Sequence, residues 1–136
     1  MPKALEGYQI IAATGVPFGV APGNHDYDAM WSDSSFPPNY NRIGELLSPD
    51  GKLTNYNPEI LGMLHIGGLS NFNSVFGAQT PLFKDKDWYV SSFNGGANSA
   101  QTFNAGGYTF LNIALEMQAS DQVLAWSQSV IDAHPG

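Results

Sequence analysis

The stretch "GVPFGVAPGNHDYD", residues 15–28, decides how the rest of the chain is read. Its apolar half, Val16-Pro17-Phe18-Gly19-Val20, is short and bounded by Gly and Pro. That pattern predicts a strand buried on both faces, of the kind that parallel or mixed sheets hold. Upstream, Ala4, Leu5, Tyr8, Ile11 and Ala12 recur at helical spacing and predict a helix over residues 3–13, with Gly15 as its stop. The order is then helix, strand, loop, and Pro22-Gly23-Asn24-His25-Asp26 falls beyond the carboxyl end of the strand. In open α/β sheets this is where ligands bind.

The four residues of the loop form a kit for metal and phosphate chemistry. Gly23 suits a left-handed turn that lets main chain approach a ligand. Asn24 offers a neutral carbonyl oxygen to a hard or borderline cation. His25 can give a proton near neutral pH or hydrogen-bond an anionic oxygen. Asp26 can hold that imidazole in one tautomer and raise its basicity. The plain alternative is a turn, because Asn and Asp are ordinary turn residues. A given tetrapeptide occurs by chance in roughly one chain in a thousand of this length, so its position after an apolar run carries the weight.

The 136 residues suit one domain with a core of its own. Only 12% of them are charged, and Asn, Ser, Thr and Gly supply the polarity instead, a balance associated with extracytoplasmic proteins. A net charge of −7 with five Lys and Arg argues against a nucleic-acid surface and favours a bound cation. Cysteine is absent, which removes disulfides and thiolate metal sites. No apolar run reaches the roughly 20 residues of a membrane span. The N-terminal stretch lacks the profile of a signal peptide.

Between residues 29 and 107 the pattern weakens. Pro37-Pro38, Pro49-Asp50-Gly51, Gly67-Gly68 and Gly95-Gly96 punctuate it, and "DWYVSSF" is its one clear strand. Such a length of irregular chain builds a binding surface or packs against parts of a larger protein. Order returns at "GGYTFLNIALEMQ", where Leu111, Ile113 and Leu115 alternate with Phe110, Asn112 and Ala114 as in a strand. Ser120-Asp121 then caps a helix whose inner face carries Val123, Leu124, Ser127, Val130 and Ile131. Strand and helix near each end predict an α/β fold.

"GVPFGVAPGNHDYD" resembles the third sequence block of the calcineurin-like metallophosphoesterases. "DKDWYVSSFNGGANSAQTF", "AGGYTFLNIALEM" and "DQVLAWSQSVIDAHP" resemble later segments of that family's extracellular bacterial members. The resemblance implies a four-layer α/β-β/α sandwich of the metallo-dependent phosphatase type, with residues 1–136 as its central part and a long irregular insertion. It implies that Asn24 is a metal ligand, that His25 contacts the phosphate and assists the leaving group, and that Asp26 partners His25. The full-length protein would hold two divalent ions, with manganese, iron and zinc equally suited. Its substrate would be a small-molecule, lipid or nucleotide phosphoester, and its place outside the cytoplasm.

The family's Asp-x-His and Gly-Asp blocks do not precede Gly19 in this chain, and its His and Gly-His-x-His blocks do not follow. By resemblance, the chain supplies one of about seven ligands of such a centre. Taken alone it is expected to be inactive and to hold no metal stably. The competing class is a non-catalytic binding module on a degenerate phosphoesterase scaffold. A third arrangement, a single metal on His25, Asp26 and Asp28, is weaker. His65 and His134 lack partners at ligand spacing and read as surface histidines, Asp28 reads as the start of a helix, and Glu116 as a lone carboxylate. Trp31, Trp88 and Trp126 read as packing residues.

Overall fold

The computed structural model describes residues 2–30, 65–66, 68–117 and 119–135. Among these residues it shows a small mixed α/β arrangement of three helices and one three-stranded antiparallel sheet. Helix α1 runs Pro2–Ala13 and ends where Gly15 takes a φ of +75°, as its sequence predicts. It turns Leu5, Tyr8 and Ala12, residues at helical spacing, towards the core.

Residues 16–20 depart from the strand predicted for them. They belong to no helix or strand and pair with none among the described residues, and Val16 is 58% exposed. Two physical reasons are visible in the segment. Pro17 has no N–H to offer a ladder. Phe18 and Val20 pack sideways onto the core cluster, a role that needs burial but no ladder.

The chain then makes a short antiparallel pair, β1 (Ala29–Met30) with β2 (His65–Ile66). Helix α2 follows at Ser70–Phe76. Strands β3 (Tyr89–Phe93), β4 (Asn98–Ala105) and β5 (Tyr108–Ala114) form the sheet in that order, and helix α3 (Asp121–Ala133) completes the fold. The sheet is antiparallel throughout, where a parallel or mixed one was expected. Regular elements are present from Ser70 onward, well before residue 108. Trp31 and the Pro37-Pro38 and Pro49-Asp50-Gly51 turns lie outside the described residues.

The β4–β5 hairpin has an unbroken register from Ser99 opposite Ala114 to Ala105 opposite Tyr108. Gly106 and Gly107, at φ of +58° and +84°, supply the two left-handed residues that such a tight connection requires. At the other end of β4 the chain passes very close to the end of α2. Ala78 N–H donates to the Gly95 carbonyl at 3.0 Å, and a Cβ on Gly96 would collide with the backbone of Gly77 and Ala78. The Gly-Gly pair that reads as loop punctuation is thus a site of backbone-to-backbone packing.

The core is mostly aromatic. Phe72, Phe76, Leu82, Phe83, Leu69 and Ala97 are buried together. Phe18 ties the N-terminal part to them, with ring centroids 5.8 Å from Tyr8, 5.2 Å from Phe83 and 5.6 Å from Trp88. Tyr8 in turn meets Phe76 edge-on at 4.9 Å. On α3, Trp126 stacks on Phe93 at 6.2 Å and donates its indole N–H to the Ser91 hydroxyl at 3.1 Å. Val123 and Val130 of the predicted inner face are buried, whereas Leu124 and Ile131 stay about half exposed. The Ser120 hydroxyl accepts from Val123 N–H, the cap expected there.

Phe18→Ala is expected to destabilise the domain by about 2–4 kcal/mol in urea unfolding, because it empties the joint between α1 and the turns before β3. Val16→Ala, two residues away and exposed, is expected to change stability by less than about 0.5 kcal/mol.

Candidate functional site

The G-N-H-D sequence folds as one 3-10 turn over Asn24–Asp26. Its closure comes from its own residues. Asp26 N–H donates to the Gly23 carbonyl at 3.1 Å, and the Asp26 carboxylate accepts the Gly23 N–H at 2.8 Å. One oxygen of Asp26 therefore serves the turn itself. Gly23 is extended, at φ −85° and ψ 178°, and not left-handed as its sequence suggested. A Cβ there would lie 3.7 Å from Asp26 Oδ2, an ordinary contact. Asn24 and Asp26 are half-buried, and His25 is exposed on the turn.

Two ties fix the chain as it leaves the turn. Asp28, predicted to start a helix at its own position, instead caps α2 from 42 residues away. Its Oδ2 accepts from Ser70 N–H at 2.7 Å and from the Ser70 hydroxyl at 2.6 Å, and its Oδ1 accepts from Asn71 N–H at 2.9 Å. Leu69, the residue at the N-cap position, makes no side-chain cap, so a remote carboxylate supplies what the local sequence lacks. Burial alone would raise the Asp28 pKa. The hydrogen bonds from Ser70 and Asn71 outweigh it and hold the carboxyl below its ordinary 3.8.

Tyr27 makes the second tie. Its ring packs against the core cluster, and its hydroxyl donates to Glu116 Oε2 at 3.3 Å. Glu116, which reads in sequence as a lone carboxylate, is therefore well partnered. Its Oε1 accepts from Asn98 Nδ2 at 2.7 Å and Asn94 Nδ2 at 2.9 Å, and its N–H donates to Asn98 Oδ1 at 2.9 Å. Asn94, Asn98 and Tyr27 escape sequence reading as site residues. The signal that finds Asn98 is the hairpin register, since continuing it by one step sets Asn98 opposite Leu115, next to Glu116.

The other candidates are placed as follows. His65 stands in β2 opposite Met30. His134 closes α3, with Nδ1 2.8 Å from the Val130 carbonyl oxygen. A single-metal set of His25, Asp26 and Asp28 is disfavoured, because both Asp28 oxygens already accept hydrogen bonds at the start of α2. Among the described residues, no three His, Asp or Glu side chains group so as to hold a metal ion. Asn24 alone does not make a donor set, so a divalent ion at this turn needs ligands beyond those described. No described helix is long and apolar enough to cross a membrane.

Beside the turn's approach segment lies a groove of about 290 Å³, lined by Pro17, Phe18, Gly19, Gln101, Phe103 and Asn112. Its floor is an amide ladder in which Asn112 Nδ2 donates to Gln101 Oε1 at 2.7 Å and Gln101 Nε2 donates to Ser99 Oγ at 2.8 Å. A Cβ on Gly19 would come within 2.5 Å of Gln101 Oε1 and 2.8 Å of Asn112 Nδ2, so a larger residue there requires these two side-chain amides to shift. Nearby, burial pushes the Tyr89 phenol above 10.0 against a weaker opposite pull from Ser92 and Ser99.

No protein-family model, curated protein or solved structure matches the chain.

The lowered Asp28 pKa sets a pH dependence whose sign follows from linkage. The folded state holds fewer protons on Asp28 than the unfolded state, so its contribution is full above about pH 4 and disappears as pH falls through the folded pKa. Asp28→Asn is expected to cost about 1 kcal/mol at neutral pH, because an amide N–H₂ then faces N–H donors at the start of α2. Urea titrations of both proteins should show that gap closing as pH falls below 3.8.

Proposed function

We propose that this chain is part of a phosphoester hydrolase of the calcineurin-like type, with Asn24, His25 and Asp26 at its reacting end. The observation that carries the reading is the construction of the turn. Its backbone is closed by Asp26, and its exit is tied to α2 through Asp28 and to the sheet through Tyr27, while His25 is exposed on it. A loop held this firmly, presenting an imidazole and a neutral oxygen ligand, fits a task that needs fixed geometry.

Cleavage of a phosphoester breaks the bond between phosphorus and the ester oxygen while water's oxygen bonds to phosphorus. The departing oxygen needs a proton when its conjugate acid is an alcohol. His25 is the group to give it, and Asp26 is the carboxylate adjacent in sequence. The proposal includes two divalent cations and a four-layer α/β-β/α architecture in the full-length protein; the described residues alone do not hold the ions. The substrate is a small-molecule, nucleotide or lipid phosphoester, and the protein acts outside the cytoplasm.

The test extends the reading frame in both directions, expresses the whole protein and assays it with manganese. His25→Ala is expected to slow hydrolysis of an alkyl phosphoester by about 10²–10⁴-fold. The loss should be much smaller with p-nitrophenyl phosphate, whose leaving group departs without a proton. Equal losses on both substrates, or none, would overturn the role of His25. A frame without further Asp- and His-bearing blocks, encoding a cooperatively folded and inactive protein, would favour the binding-module reading.

A further inference from the structure

Glu116 is the meeting point of three side chains from separate parts of the fold. Asn94 comes from the turn before β4, Asn98 from the first residue of β4, and Tyr27 from the residue after the G-N-H-D turn, 89 positions away in sequence. All three donors are neutral. Asn94 holds its place at a φ of +51°, and its own carbonyl accepts from Asn73 Nδ2 of α2 at 3.0 Å. Asn94 and Asn98 thus hold one oxygen of the Glu116 carboxylate, and Tyr27 meets the other.

We infer that Glu116, clamped by Asn94 and Asn98, is a positioning residue for the G-N-H-D turn and acts on it through the Tyr27 hydroxyl. A tyrosine ring packed on an apolar cluster can slide in its own plane. A hydroxyl tethered to a fixed carboxylate stops that movement and fixes where the backbone leaves Asp26. Asp28 fixes the next point along, so the turn is constrained in two directions. The functional meaning of this device rests on the phosphoesterase reading; its physical action does not.

Amide exchange followed by NMR separates the two. The reporters are the Gly23 and Asp26 N–H groups, whose bonds close the turn. Tyr27→Phe keeps the ring and removes the hydroxyl's tether to Glu116. It is expected to speed exchange at both reporters about tenfold, leaving amides within the β4–β5 hairpin unchanged. Glu116→Ala, which removes the carboxylate outright, should act in the same direction, and adding Tyr27→Phe to it should give no further increase. In the full-length enzyme Tyr27→Phe should lower kcat with KM within about twofold.

Unchanged exchange at Gly23 and Asp26, a uniform rise across all amides, or additive effects of the two substitutions would each overturn the inference. If exchange changes as expected while no form of the protein hydrolyses a phosphoester, the positioning role stands and the phosphoesterase reading falls.

Discussion

The fold depends on where the Phe18 ring goes. Phe18 stands in a segment with no ladder of hydrogen bonds among the described residues, yet it touches one ring from α1 and two from the turns before β3. Each such aromatic pair contributes about 0.5–1.5 kcal/mol beyond simple burial. Side-chain packing here does the work that strand pairing does elsewhere. Because Phe18 lies five residues before Gly23, it also determines the direction from which the G-N-H-D turn is entered.

From that entry the constraints change in kind. Before the turn the chain is held by apolar contact, and after it by hydrogen bonds to two carboxylates, Asp28 and Glu116. Apolar contact sets distance but tolerates sliding, whereas the hydrogen bonds set orientation. The close passage of Gly77 past Gly95 and Gly96 completes the frame, since it brings Asn73 of α2 against Asn94 and so links the two carboxylate anchors through one helix.

What could be read from the sequence followed local rules. The α1 pattern, the Gly15 stop, the Ser120 cap and the β5 alternation all arise from neighbours within a turn or two, and each was legible. Residues 16–20 misled because a short apolar run looks the same whether it pairs in a sheet or packs its side chains. Asp28 misled because its cap lies on a helix that begins 42 residues later, and no periodicity carries that information. Strand β4 was missed although its signal was present. Gly106-Gly107 between "NSAQTFNA" and "YTFLNIA" describes a two-residue hairpin, and following that register would have brought Asn98 beside Glu116. The identity of the candidate loop was legible in G-N-H-D; the residues that hold it were not, because they converge only after folding.

Neutral donors at both anchors have a consequence for the surroundings the domain tolerates. Amide, hydroxyl and backbone N–H groups hold Asp28 and Glu116 through contacts under 3.4 Å. Mobile ions screen interactions over a Debye length of about 8 Å at physiological ionic strength, well beyond the span of these contacts. Dissolved salt thus has little purchase on them, unlike a surface ion pair, which weakens as salt rises. A chain with five Lys and Arg among its 136 residues has fastened its loop with neutral donors, a fastening that short-range geometry rather than ionic strength governs.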